Sequence, residues 1–324
     1  MSPIQFQTIG SLAEAEAVRP PASFIAGGTN VVDLLKLEVL KPGTLVSITP
    51  LPLRGIDEKG DGLRIGALET MSAVAAHPLV ASGYPVIAQA LLQSASAQLR
   101  NMASMGGNLL QRTRCGYFRD VNSGCNKRVP GTGCPAIHGA NRMLAILGTS
   151  PHCIATNPSD LAVALVALDA AVAVRGQDGS RSIRLREFYL EPGDTPDREN
   201  QLRPGELITE IRVPRLAPNT RSAYVKVRDR ASYEFALSSA AVALTMDGDR
   251  VQKAEVAAGG VGTKPWWLPR VGDALVGKTL SLDTVEAAAR LSSENSQRYS
   301  DNGFKVEMLQ RTLVRALCVT GGIA

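Results

Sequence analysis

The alternation of apolar and polar positions divides the chain into a succession of short elements. Phe24-Ile25-Ala26 reads as a brief strand running into Gly27-Gly28-Thr29-Asn30. Residues 31–40 then carry an apolar repeat of helical period, as Val31, Leu34 and Leu35, or as Val32, Leu35 and Val39. Residues 44–48 and 63–67 read as strands, with a turn at Glu58-Lys59-Gly60-Asp61-Gly62 before the second. Thr70 or Ser72 caps a short helix. Residues 85–99 form a longer one, with Val86, Ala90, Leu91, Ala95 and Leu99 on one face.

Another helix starts at Ser159-Asp160 and buries Leu161, Ala164, Leu165 and Leu168. Residues 171–175 and 181–185 flank Gly176-Gln177-Asp178-Gly179 as a hairpin. A strand at 207–213 is closed by Pro214, and residues 215–221 read as a linker. Strands at 223–227, 236–246 and 251–258 precede helices at 282–292 and 304–318. Strands followed by helices predict a separate, smaller α+β domain at 221–324, after a first domain at 1–214.

Composition narrows the partners. The chain has 324 residues, enough for two or three cores. Aromatic residues make up 4%, too few for a protein that stacks single-stranded bases on rings. The net charge of +5 is not gathered into a basic element, so no nucleic acid is expected. No apolar run has the length of a membrane span. Met1-Ser2-Pro3-Ile4-Gln5-Phe6 lacks a basic region followed by an apolar stretch, so no export signal of its own is expected. The expected compartment is the cytoplasm, or the periplasm by co-export with a signal-bearing partner. Three histidines (His77, His138, His152) argue against a His-rich catalytic metal site.

Two stretches carry candidate chemistry. A strand, a glycine pair and a helix at 24–40 let backbone N–H groups approach a phosphate, or form only a tight turn. Neither a G-x-G-x-x-G fingerprint nor a Walker motif is present. The second stretch, 106–160, holds four of the five cysteines: Cys115, Cys125, Cys134 and Cys153, separated by 9, 8 and 18 residues. None of these gaps is the short C-x2-4-C pair usual in a structural zinc site. Four separate ligands on a Gly- and Pro-rich loop suit an iron–sulfur cluster; two disulfides, zinc or unrelated thiols are the alternatives. Cys318, among Leu313, Val314 and Leu317, reads as a buried free cysteine. Trp266 and Trp267 read as C-terminal core.

Phe24-Ile25-Ala26-Gly27-Gly28-Thr29-Asn30, followed by Ser104-Met105-Gly106-Gly107-Asn108-Leu109 and Ser159-Asp160-Leu161, resembles the flavin-binding segments of the FAD subunit of molybdenum hydroxylases. That family includes xanthine dehydrogenases and carbon monoxide dehydrogenase. The insertion at about 111–156, with Lys226-Val227-Arg228-Asp229-Arg230, is most similar to the FAD subunit of bacterial periplasmic-type aldehyde oxidoreductases. Flavin subunits of related hydroxylases or aryl-CoA reductases, or a stand-alone flavin reductase, are the competing readings.

The resemblance implies an α+β chain: a vanillyl-alcohol-oxidase-like (PCMH-type) FAD-binding domain of two α/β subdomains, then a domain of the CO dehydrogenase flavoprotein C-terminal type. It implies FAD held by Phe24, Ile25, Ala26, Gly27, Gly28, Thr29, Asn30 and Val31, by Ser104, Gly106, Gly107 and Asn108, and by Ser159, Asp160 and Lys226. It implies a [4Fe-4S] cluster on Cys115, Cys125, Cys134 and Cys153. The implied partners are a small [2Fe-2S] subunit, a large molybdopterin subunit that carries the substrate chemistry, and an electron acceptor (ferredoxin, a quinone-like molecule, oxygen or NAD). No catalytic residue is expected in this chain.

Overall fold

The computed structural model describes residues 3–60 and 62–323. Met1, Ser2, Ala324, and Asp61 of the expected turn lie outside the described residues. β1 (Gln5–Thr8), β2 (Ser23–Ile25) and β3 (Thr44–Ser47) make a parallel sheet ordered β1-β3-β2. Val46 of the central strand joins Ile9, Ile48 and Leu51 in a small core. β4 (Ile56–Lys59), β5 (Gly62–Gly66), β6 (Ala171–Gly176), β7 (Gly179–Arg184) and β8 (Leu207–Pro214) form an antiparallel sheet ordered β4-β5-β8-β6-β7. Ile211 of β8 lies opposite both Ile65 and Val172, so one apolar row crosses three strands. The helix Asp160–Ala167 is buried at all eight positions and packs in the same core. A helix apolar on every side needs cover all round, and it receives it.

β9 (Thr220–Val227), β10 (Ser238–Asp247), β11 (Arg250–Gly259) and β12 (Trp266–Trp267) form an antiparallel sheet ordered β12-β11-β10-β9. Alternation assigns its two faces. Tyr224, Ala241, Ala243 and Ala257 enter the larger core beside the helix Asp160–Ala167. Ala240, Val242, Leu244, Val256 and Ala258 enter a second core with Leu309, Leu313 and Leu317 of the helix Lys305–Gly321. The C-terminal unit is therefore not separate in its packing, because one face of its sheet closes the core of the preceding unit. The eight consecutive buried residues of β10 follow from cover on both faces.

Several boundaries differ from those the pattern predicts. The helix expected at 31–40 stops at Lys36, where Glu38 takes a φ of 57° and the amides of Val39 and Leu40 return to the Leu34 carbonyl. The helix expected at 85–99 breaks into Pro85–Leu92 and Ala97–Met102. Ser94 turns its hydroxyl to Ala90 O and Asp160 at the break, and Ser96 caps the new start. Gly106-Gly107-Asn108 is not an open loop but lies in the helix Met105–Leu109, capped by Ser104. Ser159, rather than Asp160, caps the helix Asp160–Ala167. β4 was not anticipated, and β9 starts at Thr220 inside the expected linker.

The cysteine-bearing insertion spans both units. Its Ile146 and Leu147 lie in the second core, and both their amides donate to Val261 O. The start of the last helix fastens it: Lys305 Nζ donates to Met143 O and Gly260 O, and Asn302 Nδ2 donates to Ala145 O.

Candidate functional site

Strand β2 delivers the chain to Gly27, and the helix Val31–Lys36 carries it away. The amides of Gly27, Gly28, Thr29, Asn30 and Val31 donate to no protein acceptor among the described residues. Consecutive backbone donors without a protein acceptor are the kind of group that receives phosphate oxygens, and two of these five, at Thr29 and Asn30, belong to residues that line a groove. A Cβ on Gly27 would lie 1.7 Å from the Met102 carbonyl oxygen, so this glycine admits the neighbouring backbone. Gly28 has a φ of 71°, a left-handed conformation that favours glycine.

Thr29 and Asn30 open onto a groove of about 1210 Å³ whose other wall includes Gly107, Asn108, Asp160 and Lys226. Ser159 and Asp160 also line an adjoining recess of about 690 Å³. Six of the residues singled out from the sequence thus meet at one groove, and Ser159 stands beside it. The others are placed differently. Phe24 and Ala26 pack against the small core, and Gly106 sits against Ala67, whose Cβ would be 3.1 Å from a Cβ at position 106. Ile25, Gly27, Gly28, Val31 and Ser104 shape the two segments from behind. Ser159 Oγ donates to Asn108 Oδ1 at 2.7 Å and accepts from Ala162 N, locking the second segment onto the helix start.

Asp160 is almost wholly enclosed. Its carboxylate accepts from Ser94 Oγ at 2.8 Å, Tyr224 Oη at 2.6 Å and Lys226 Nζ at 2.7 Å. Lys226 is not an exposed strand-end lysine: its side chain is 1% accessible, and Nζ also donates to Gln93 O. Burial, joined by the adjacent Asp160 charge, pushes the Tyr224 hydroxyl well above its ordinary pKa, so it remains a donor. A buried ion pair with three further hydrogen bonds fixes this end of the groove.

Behind the first segment lies the insertion. Asn30 Oδ1 accepts from Arg112 N at 3.1 Å, while Asn30 Nδ2 has no protein partner. Asp33 accepts from Arg114 at 2.8 Å and from Arg119 at 2.7 and 3.0 Å. The Arg119 hydrogen bond, with Arg114 adding, holds the Asp33 carboxyl below its ordinary range. Leu34 of the same helix packs in the cluster that contains Cys115, Phe118, Cys125 and Cys153.

Cys115, Cys125, Cys134 and Cys153 line one cavity of about 290 Å³, with Phe118, Ala136 and Ala155 among its apolar walls. Cys318 stands apart, free and only half-buried against the second core. All five cysteines are free, so the disulfide alternative is not realised. No three His, Cys, Asp or Glu side chains among the described residues are arranged to hold a single metal ion. Backbone amides of Tyr117 and Phe118 point at the Cys115 sulfur, those of Ile154, Ala136 and Ile137 at Cys134, and Ala155 N at Cys153. Burial pushes the Cys153 thiol up to about 11, with Lys127 opposing it. Soft sulfur ligands with amide donors turned towards them, in an apolar chamber, fit a thiolate-held cluster.

Sequence reasoning missed Ser94, Asp33, Tyr224 and Phe235, all in or beside the groove. Tyr224 had a signal, since it lies two residues before Lys226 on the same face of a strand. Trp266 packs against the second core as expected, but Trp267 is exposed beneath Arg186.

Residues 2–216 match the model of the FAD binding domain in molybdopterin dehydrogenase, and residues 222–319 match the CO dehydrogenase flavoprotein C-terminal domain. The chain is 45% identical over 323 residues to the aldehyde oxidoreductase FAD-binding subunit PaoB of Escherichia coli, covering 98% of each. It is 29% identical to the glyceraldehyde dehydrogenase medium chain of Sulfolobus acidocaldarius, over 83% of this chain and 79% of that one. In fold it is similar to a chain of the reconstituted CO dehydrogenase from Oligotropha carboxidovorans, with a TM-score of 0.79, 24% identity and coverage of 100% and 99%. The chain belongs to the FAD-binding subunits of the molybdenum hydroxylase family, an oxidoreductase family of mixed helix and sheet.

Proposed function

We propose that this chain is the FAD- and [4Fe-4S]-containing electron-transfer subunit of a heterotrimeric molybdenum aldehyde oxidoreductase. The observation that carries the reading is the convergence of four cysteines on one apolar cavity, whose Cys115 and Phe118 are chain neighbours of Arg114 and Arg119 in the groove. The aldehyde assignment draws on the likeness to the Escherichia coli subunit. The substrate chemistry belongs to a large molybdopterin subunit, and a small [2Fe-2S] subunit completes the assembly. The acceptor is external.

Flavin supplies reversible one- and two-electron chemistry, and an iron–sulfur cluster supplies one-electron chemistry. The chain's own residues hold and orient these groups. The unpartnered amides of residues 27–31 would hold the pyrophosphate, with Gly107 and Asn108 lining the groove beside it. Asp160 pairs with Lys226 and fixes the position of its Nζ, while Tyr224 and Ser94 hold the Asp160 carboxylate in place. Cys115, Cys125, Cys134 and Cys153 would supply the four thiolates that hold the cluster.

An absorbance spectrum tests the reading. The expected protein shows flavin bands over a broad iron–sulfur shoulder that dithionite bleaches. Cys125→Ser or Cys134→Ser is expected to remove about four irons per chain, the content of one cluster, while the chain still takes up FAD. Unchanged iron content in either variant defeats the ligand assignment, and a colourless zinc protein defeats the whole proposal.

A further inference from the structure

The two halves of the site share one short helix. Asn30 and Asp33 belong to the segment that presents its free amides to the groove, and both are bound from behind by the insertion. Arg114 is the residue in common. It precedes Cys115, donates to Asp33 at 2.8 Å, and lies over the Phe235 ring with 5.1 Å to the centroid. It lines both the groove and the adjoining recess. Its Nε is buried and has no protein acceptor. A guanidinium has donors in a fixed fork, and this one is only partly used.

We propose that Arg114, held on Asp33 and Phe235, is a positioning residue that links occupancy of the cysteine cavity to flavin affinity. When the four cysteines are drawn together on their cluster, residues 112–119 are fixed. Arg112 N then holds Asn30, while Arg114 and Arg119 hold Asp33, so the free amides of residues 27–31 are already arranged for the pyrophosphate. When the cavity is not loaded, the insertion relaxes, Arg114 leaves Asp33, and flavin binding bears the cost of ordering the segment. The coupling acts in both directions, because linked binding free energies are reciprocal. This inference rests on the proposed cofactor content.

The test is an FAD titration of the full-length chain, purified with its partner subunits and freed reversibly of flavin. Flavin fluorescence quenching gives the dissociation constant with iron in place and after iron is stripped by oxidation and chelation. In the native sequence stripping is expected to weaken FAD binding about 10-fold, inside the range usual for coupled sites. In Arg114→Met the affinity is expected to be weak already and indifferent to stripping, and Asp33→Asn is expected to reduce the coupling in the same direction. Equal FAD affinities before and after stripping in the native sequence overturn the proposal, and so does full coupling in Arg114→Met. The native comparison needs no variant, so a substitution that fails to fold leaves the test intact. A chain that takes up no FAD or no iron defeats the underlying reading. A chain that binds both independently defeats only this inference.

Discussion

Replacing Lys226 with methionine isolates the buried pair at the end of the groove. Lys226 and Asp160 are 1% and 6% accessible at their side chains, and Nζ lies 2.7 Å from Oδ2. Methionine keeps the length of the stem and removes the charge. It leaves the Asp160 carboxylate enclosed with only Ser94 and Tyr224 as donors. Gln93 O loses one donor but keeps Arg228 Nη1 at 2.9 Å, so the carboxylate dominates the cost. Breaking one partner of a buried pair costs about 3–5 kcal/mol. At roughly 2 °C per kcal/mol for a chain of this size, the flavin-free protein should melt on the order of 10 °C lower. Adding Asp160→Asn removes the stranded charge while its amide oxygen still accepts from Tyr224. The double variant is therefore expected to be more stable than Lys226→Met alone. Thermal unfolding followed by circular dichroism measures the native chain, Lys226→Met, Asp160→Asn and the double variant. A shift of only a degree or two in Lys226→Met, or a double variant as unstable as the sum of the single changes, would refute the reasoning.

Other substitutions probe other parts of the same construction. Gly27→Ala is expected to lower the melting temperature of the flavin-free chain as well as flavin content, because its Cβ meets the Met102 carbonyl; normal stability with lost flavin would show that the glycine serves the cofactor alone. Tyr224→Phe removes a hydrogen bond to a buried carboxylate and should cost about 1.5–3 kcal/mol in urea unfolding, a loss that an unchanged midpoint would exclude. Lys305 is lowered by burial from 10.5 to about 7, so its folded-state value lies below the unfolded one. The unfolded chain binds the extra proton between those values, so this group destabilises fully below pH 7 and less as pH rises. The unfolding free energy of Lys305→Met minus that of the native chain should fall by about 1.4 kcal/mol for each pH unit crossed between 7 and 10, and a flat difference would contradict it.

The sequence made the elements legible where period and punctuation agreed. Gly176 and Gly179 announced the β6–β7 turn, and the long apolar repeat before Cys318 announced the last helix. It failed where a distant side chain decided a local conformation. The period of 85–99 continues through Ala95, yet Asp160 draws Ser94 out of the helix and Ala95 takes a φ of 50°. The burial of Lys226 had no local signal, because its counterion lies 66 residues away. Asp33 occupies a polar position of an amphipathic helix and reads as solvated, until the insertion folds Arg114 and Arg119 back onto it. The glycines of both flavin segments were visible, but the reason for them was only half visible. Gly27 and Gly106 answer to neighbouring backbone and to Ala67 rather than to the groove.

The sheet β9–β12 makes the chain indivisible. A cut within residues 217–219 falls between the two matched domains and interrupts no strand. It would nevertheless strip the alanine face of β10 and β11 from the helix Asp160–Ala167, and leave Ile146 and Leu147 without their partners in the second core. Each fragment would present a raw apolar surface of the sort that drives aggregation. Neither half is a self-sufficient building block, so the flavin half is expected to mature only after the last helix has left the ribosome. A truncated product would go to proteolysis before it could acquire a cofactor.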